Sequence, residues 1–316
     1  MSDQQENWAE KKEVAGGFYG IKLMLFFYRL GGKKLFTLVL YPVMTVYYLM
    51  AREQRRNSKR YLSLVNKRRT ELGLKKLRLN SFMHFIAFAD MMLDKLNAWQ
   101  GKLELHKDVE YIDDSFNEFY KDKVPGKIII CSHLGDIEAL NAIFTKNKDE
   151  HYVINSIVFN KHVQNFNRMI KALAPDVDLN LISTDTMGAD TAILLRDKLD
   201  HNEIVVIAGD RVPQTSHEHN RVVKAKFLGE DAYFPQGCFV LSSVLKAPTI
   251  LVFALKNNKT NMVDIVCKNI GIVKLDRKNR EASLQAYIDN YAKVLEEICL
   301  EYPYQWFNFY DFFKAK

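Results

Sequence analysis

Apolar and polar residues follow three regimes along the chain. After Gly16-Gly17 the sequence turns apolar, as FYGIKLMLFFYRL, then GGKK, then LFTLVLYPVMTVYYLMA. Between Lys34 and Arg52 lie 17 uncharged residues. As a helix they span about 25 Å, slightly short of the ~30 Å hydrocarbon core of a bilayer. Pro42 predicts a kink near the middle. Basic residues flank both ends, so charge asymmetry sets no direction for a span. The pattern best fits a pair of helices dipping into one leaflet, with Lys, Arg and Tyr at the headgroups. A buried core helix and a full span remain open.

The second regime is basic and amphipathic, AREQRRNSKRYLSLVNKRRTELGLKKLR, and helices are expected over 35–64 and 79–100. The third begins near Gly101, where short β-rich runs alternate with helical patterns. Strands are expected at 127–132, 152–159, 203–208, 224–229, 249–255 and 262–267. Helices are expected at 136–146, 162–173, 187–199, 237–246 and 282–301. This alternation predicts an α/β domain around a central, mostly parallel sheet flanked by helices. The division that follows is a helical, membrane-associating region over 1–100 and an α/β domain over 101–316.

Charge sharpens this picture. The 316 residues carry 45 Lys+Arg and 38 Asp+Glu, a net +7. Gly16 to Asn80 alone holds fifteen basic residues against two acids, a net +13 that leaves the remainder at −6. Such a basic front implies an acidic partner: phospholipid headgroups, nucleic acid or an acidic protein. No nucleic-acid motif accompanies the charge, and the adjoining apolar run makes a bilayer the simpler source of phosphate. The four cysteines form no CxxC pair, which predicts neither a zinc site nor a disulfide framework and fits a reduced, cytosol-facing protein. The polar, acidic N-terminus lacks the pattern of a secretory signal.

The densest candidate chemistry is IIICSHLGDIEALNAIF. A buried strand is expected to end at Cys131-Ser132, followed by His133 and a helix starting near Asp136. On one continuous helix His133 and Glu138 would diverge by about 140°. They converge only if His133 lies in the turn before the helix, and Gly135 provides that break. A carboxylate against an imidazole fixes its tautomer and suits proton abstraction from a hydroxyl. A capping histidine with a solvated glutamate is the bland alternative. Asp136 fits a helix N-cap, and a Cys131–His133 nucleophile is a weaker possibility. Gly209-Asp210-Arg211 follows a strand, where α/β sites form, with Arg211 as a phosphate clamp aimed by Asp210 or as half of a loop ion pair. In Phe234-Pro235-Gln236-Gly237, Pro235 and Gly237 either open a helix whose N–H groups hold an anion or simply make a turn. His217 and His219 lack a recognisable third ligand, so no metal site is expected. The aromatics Trp306, Phe307, Phe309, Tyr310, Phe312 and Phe313 fit core or lid packing.

His-x4-Asp/Glu after a strand resembles the lysophospholipid acyltransferase superfamily, specifically the bacterial late acyltransferases of lipid A biosynthesis and their relatives. The resemblance extends through NWAEKKEVAGG, YLMAREQRRNSKRYL, EIVVIAGDRVP, KAKFLGEDAYFPQGCFVLSSVLKAPTILVFAL and YPYQWFNFYDFF, in the order of that family's blocks. Cys238 departs from it, standing where the family commonly has Pro. The resemblance implies transfer of a fatty acyl group from acyl carrier protein or acyl-CoA to a hydroxyl of a membrane lipid or glycolipid. It further implies His133 as general base, Glu138 as its orienting carboxylate, and Asp210, Arg211, Pro235 and Gly237 at the substrate. No metal, cofactor, covalent acyl-enzyme or nucleic acid is implied, and the expected location is the cytoplasmic face of the inner membrane. A catalytically inactive membrane scaffold of the same fold, or less simply a nucleic-acid-binding protein, is the alternative.

Overall fold

The computed structural model describes residues 16–99, 107–120, 126–136, 152–158, 179–183, 188–211 and 222–313. Its centre is a seven-stranded sheet in the order β1-β9-β8-β2-β5-β3-β4. The strands are β1 (Val109–Tyr111), β2 (Ile128–Cys131), β3 (Ile154–Val158), β4 (Leu179–Ser183), β5 (Ile204–Ala208), β8 (Pro248–Lys256) and β9 (Val263–Ile272). Neighbours from β8 through β2, β5 and β3 to β4 run parallel, whereas β9 is antiparallel to β8 and β1 parallel to β9. The expected α/β class with a mostly parallel sheet is therefore observed. A two-stranded antiparallel hairpin, β6 (Val222–Phe227) and β7 (Glu230–Pro235), lies beside it.

Continuous apolar runs form the inner strands because both sheet faces are covered. In β2, Ile128 and Ile130 join one core while Ile129 and Cys131 join the other. The first core is roofed by α7 (Arg280–Glu301), which contributes Leu284, Ile288, Tyr291 and Leu295, and by Phe227 and Phe234 of the hairpin. Helices α5 (Ala189–Asp200) and α6 (Gly237–Leu245) add Leu195, Leu199 and Phe239 to it. The second contains Phe119 of α4 (Ser115–Tyr120) with Ile204, Val206, Val252 and Ile265. The strands that sequence reasoning passed over are β1, β4 and β7. The first two are short edge strands, and β7 was hidden by the turn residues at its end. The helix expected at 162–173, and that at 136–146 beyond Asp136, lie outside the described residues.

The N-terminal helices depart from expectation at their breaks. Helix α1 (Gly16–Met50) keeps helical angles through Pro42 and breaks instead at Gly31-Gly32, where Gly32 has φ +63. The single helix expected over 35–64 is divided: Leu35–Met50 meets α2 (Arg52–Glu71) at a bend of 97°. At that corner Arg55 donates to the Tyr48 carbonyl at 3.1 Å, satisfying a C-terminal carbonyl of α1. Helix α2 buries one stripe, Asn57, Ser58, Tyr61, Leu62 and Val65, and places Arg68 and Arg69 in its last turn, where cations complement the dipole. Tyr61, Leu62 and Val65 enter the same core as α7 and the sheet. Helix α3 (Ser81–Trp99) packs on α1 through Phe85 and Ile86 against Phe36, Leu40 and Met44. Among the described residues no single helix is long and apolar enough to cross a membrane, and only the bent pair passes that test together.

Candidate active site at the carboxyl ends of β2 and β5

The site grows from the central parallel pair. Cys131 stands opposite Ala208 in register, and the Gly209 N–H donates to the Cys131 carbonyl at 2.9 Å. Two residues further on, that register sets His133 across from Asp210. The turn between them and β8 is tight. Gly135 has φ +74, and a Cβ there would sit 1.9 Å from the Ala254 carbonyl oxygen, so glycine is required. The Asp136 N–H donates to that same carbonyl at 2.7 Å, which pins the loop to β8.

Asp210 is fully buried and takes four hydrogen bonds. Oδ1 accepts from His133 Nδ1 at 2.8 Å. Oδ2 accepts from the His133 backbone N–H at 3.0 Å, Trp306 Nε1 at 3.0 Å and Asn308 Nδ2 at 2.8 Å. Burial by itself pushes the Asp210 carboxyl up. The adjacent His133, the hydrogen bonds from it and the Arg211 charge outweigh that and hold the carboxyl below its ordinary range. An ionised carboxylate accepts only, so Nδ1 of the neutral ring carries the proton and the ring's lone pair sits on Nε2. The His133 side chain is 34% exposed. The pair thus presents a fixed imidazole tautomer at the strand ends, with the charge that would stabilise its protonated form buried behind it.

The C-terminal segment completes the carboxylate's shell. The Phe307 N–H donates to the His133 carbonyl at 2.8 Å, and the Gly135 N–H to the Gln305 carbonyl at 2.9 Å, so this segment runs along the His133 loop like a short strand. Alternate residues then point the same way. Trp306 and Asn308 reach the Asp210 carboxylate, and the Tyr310 hydroxyl donates to the Asp210 carbonyl at 2.9 Å. Arg211 ties the segment down from Nε to Asn308 Oδ1 at 3.1 Å and from Nη2 to the Phe307 carbonyl at 3.2 Å. Burial pulls its guanidinium below the ordinary value, opposed by Asp210 and Tyr310.

A buried polar chain links this shell to the N-terminal helices. His84 on α3 donates from Nε2 to the Trp306 carbonyl at 2.9 Å, because a carbonyl can only accept. Its Nδ1 therefore accepts from Ser58 Oγ of α2 at 3.0 Å, and Ser58 in turn accepts from Ser81 at 2.9 Å. Burial drives the His84 pKa down from 6.5 to about 4, with its bond to Trp306 partly opposing, so the ring is neutral near pH 7.

Several sequence expectations change in this light. Glu138 lies outside the described residues, as do His217 and His219; among the described residues Asp210 places a carboxylate on His133. Among the described residues the Asp210 carboxylate takes its hydrogen bonds from His133, Trp306 and Asn308, with the Arg211 charge beside it. Arg211 does share the sheet edge with His133, and there it holds the C-terminal segment. Cys131 belongs to the core behind the sheet, which removes the case for a thiolate nucleophile. Pro235 ends β7 and Gly237 begins α6, and neither takes part in the hydrogen bonds described around His133 and Asp210. Cys238 beside them is a core thiol that burial pushes up to about 12. Sequence reasoning missed Asn308 altogether and read Trp306 as packing. The signal was present in WFNFY, whose alternate positions 306, 308 and 310 each carry a hydrogen-bond donor. No group of three or more His, Cys, Asp and Glu among the described residues is placed to hold a metal ion. No family model matches the chain, and no curated protein is similar enough to count as a match.

Proposed function

We propose that the protein is a membrane-associated acyltransferase that moves a fatty acyl group from the thioester of acyl carrier protein or CoA to a hydroxyl of a lipid or glycolipid. The observation that carries this reading is the His133 Nδ1–Asp210 contact of 2.8 Å at the carboxyl ends of two adjacent parallel strands. That arrangement supplies a neutral imidazole whose Nε2 takes a proton and whose positive charge is then stabilised by a buried carboxylate. In the reaction, the acceptor oxygen attacks the thioester carbonyl as Nε2 of His133 removes the hydroxyl proton. The new C–O bond forms and the C–S bond breaks. The departing thiolate takes the proton back from the imidazolium, leaving ester, free thiol and the original ring.

Further support comes from the outer face of α1, where Leu38, Val46, Leu49 and Met50 are exposed next to the basic start of α2. Such a surface suits the headgroup boundary of an anionic bilayer, here assigned to the cytoplasmic face of the inner membrane. Lipid mass spectrometry of cells lacking the gene, complemented with wild type or His133→Ala, tests the activity. Wild type should restore a lipid heavier by one acyl chain and His133→Ala should not. Restoration by His133→Ala would refute the reading.

A further inference from the structure

A groove of about 420 Å³ runs between α2 and the returning segment 72–81, well away in sequence from His133 and Asp210. It is lined by Lys59, Lys67 and Lys76 together with Ser63, Asn66 and Thr70, over an apolar floor of Leu62 and Leu79. The walls are fixed to each other. Asn66 Nδ2 donates to the Leu77 carbonyl at 3.0 Å, the Leu77 N–H donates back to Asn66 Oδ1 at 2.9 Å, and Arg69 Nε donates to the Lys75 carbonyl at 2.8 Å. Lys67 is paired with Glu230 at 2.9 Å, whereas Lys59 and Lys76 make no ion pair among the described residues. Lysine ammonium groups beside hydroxyls in a walled groove form a receptor for a phosphate oxyanion.

The groove's surroundings say which phosphate. Exposed Leu72, Leu74 and Met83 lie in and just after the same returning stretch as the exposed cations Lys75, Lys76 and Arg78. Phe82, the neighbour of groove-lining Ser81, meets Tyr41 and Tyr48 of α1 at ring distances of 6.3 and 5.4 Å. The start of α3 beside the groove is thus packed on α1, the helix with the exposed apolar face. The 97° bend lays α2 across the axis of Leu35–Met50, so if that segment enters the apolar phase, α2 lies in the headgroup layer. We propose that the groove between α2 and residues 72–81 binds the headgroup phosphate of an anionic phospholipid, as a site separate from the catalytic pair. This rests on the membrane-associated reading above and is tested apart from acyl transfer.

The test is sedimentation of the full-length protein with vesicles of phosphatidylglycerol or phosphatidylcholine. Wild type should prefer phosphatidylglycerol. Lys59→Ala/Lys76→Ala should lose roughly 30-fold of that affinity, the effect of removing two cations from an anionic surface. Ser63→Phe, which fills the groove without changing charge, should lose the preference too, whereas Lys268→Ala/Lys278→Ala on the body should not. Soluble glycerol phosphate at millimolar concentration should compete only weakly. Failure of wild type to bind either vesicle would sink both this site and the membrane reading. Wild-type-like binding by Ser63→Phe would replace the site with diffuse charge, and competition by glycerol phosphate as strong as by vesicles would assign the groove to a soluble phosphate. Either of those results overturns the lipid site and leaves membrane association standing.

Discussion

Two histidines occupy opposite electrostatic situations in this fold. His133 faces a buried carboxylate, whereas His84 sits between a hydroxyl and a carbonyl with desolvation against protonation. His84 carries a pKa of about 4 in the fold against 6.5 ordinarily, so the unfolded chain binds its proton first as pH falls. Its contribution to stability is complete above pH 6.5 and is lost as pH falls from there towards about 4, at up to ~1.4 kcal/mol per pH unit. His84→Gln, which keeps a donor for the Trp306 carbonyl, should flatten urea-midpoint curves across that window. An unchanged slope would place the titration elsewhere. At this scale His133 was legible because a lone histidine after a buried strand and before a glycine has few structural uses. The role of Asp210 was not, because its partner lies 77 residues away and only the parallel pairing of β2 and β5 brings the two together.

The C-terminal segment runs along the His133 loop and fixes the Asp210 carboxylate. Asn308 stands between Asp210 and Arg211, donating to one and accepting from the other. Removing it leaves a buried carboxylate one donor short and a buried guanidinium without its Nε acceptor. Loss of a charge-assisted bond of this kind costs roughly 1.5–3 kcal/mol. Asn308→Ala should therefore lower the urea midpoint and reduce turnover more than the lost stability explains, read as specific activity well below the transition. Unchanged values in both would show that the segment packs there without holding Asp210. Inner strands and the long helix α7 were readable from their apolar runs and periodicity. The corner at Ala51 was not, because the residues immediately flanking it are good helix formers and carry no break signal; Arg55 of the next helix satisfies the Tyr48 carbonyl there.

At the level of the whole molecule, a seven-stranded sheet carries the His133–Asp210 pair at one end of its central strands. The buried chain Ser81–Ser58–His84–Trp306 joins that end to α2 and α3, which adjoin α1 and its exposed apolar face. A basic, apolar front was visible in the charge distribution and an α/β body in the alternation of strand and helix patterns. Their shared core was not, because Tyr61 and Val65 look like an ordinary amphipathic stripe until α7 and Trp306 close over them. This arrangement places the proposed base on the same molecule as the surface that would meet lipid. The most direct measurement of that account is turnover of an acyl carrier protein thioester by purified protein with a membrane lipid extract, comparing wild type, His133→Ala and Asp210→Asn. Wild type should release free thiol and form acylated lipid. His133→Ala should fall by about 10²–10⁴, the usual effect of losing a general base, with Asp210→Asn also severely reduced while remaining folded. Equal turnover by His133→Ala and wild type would contradict the central claim.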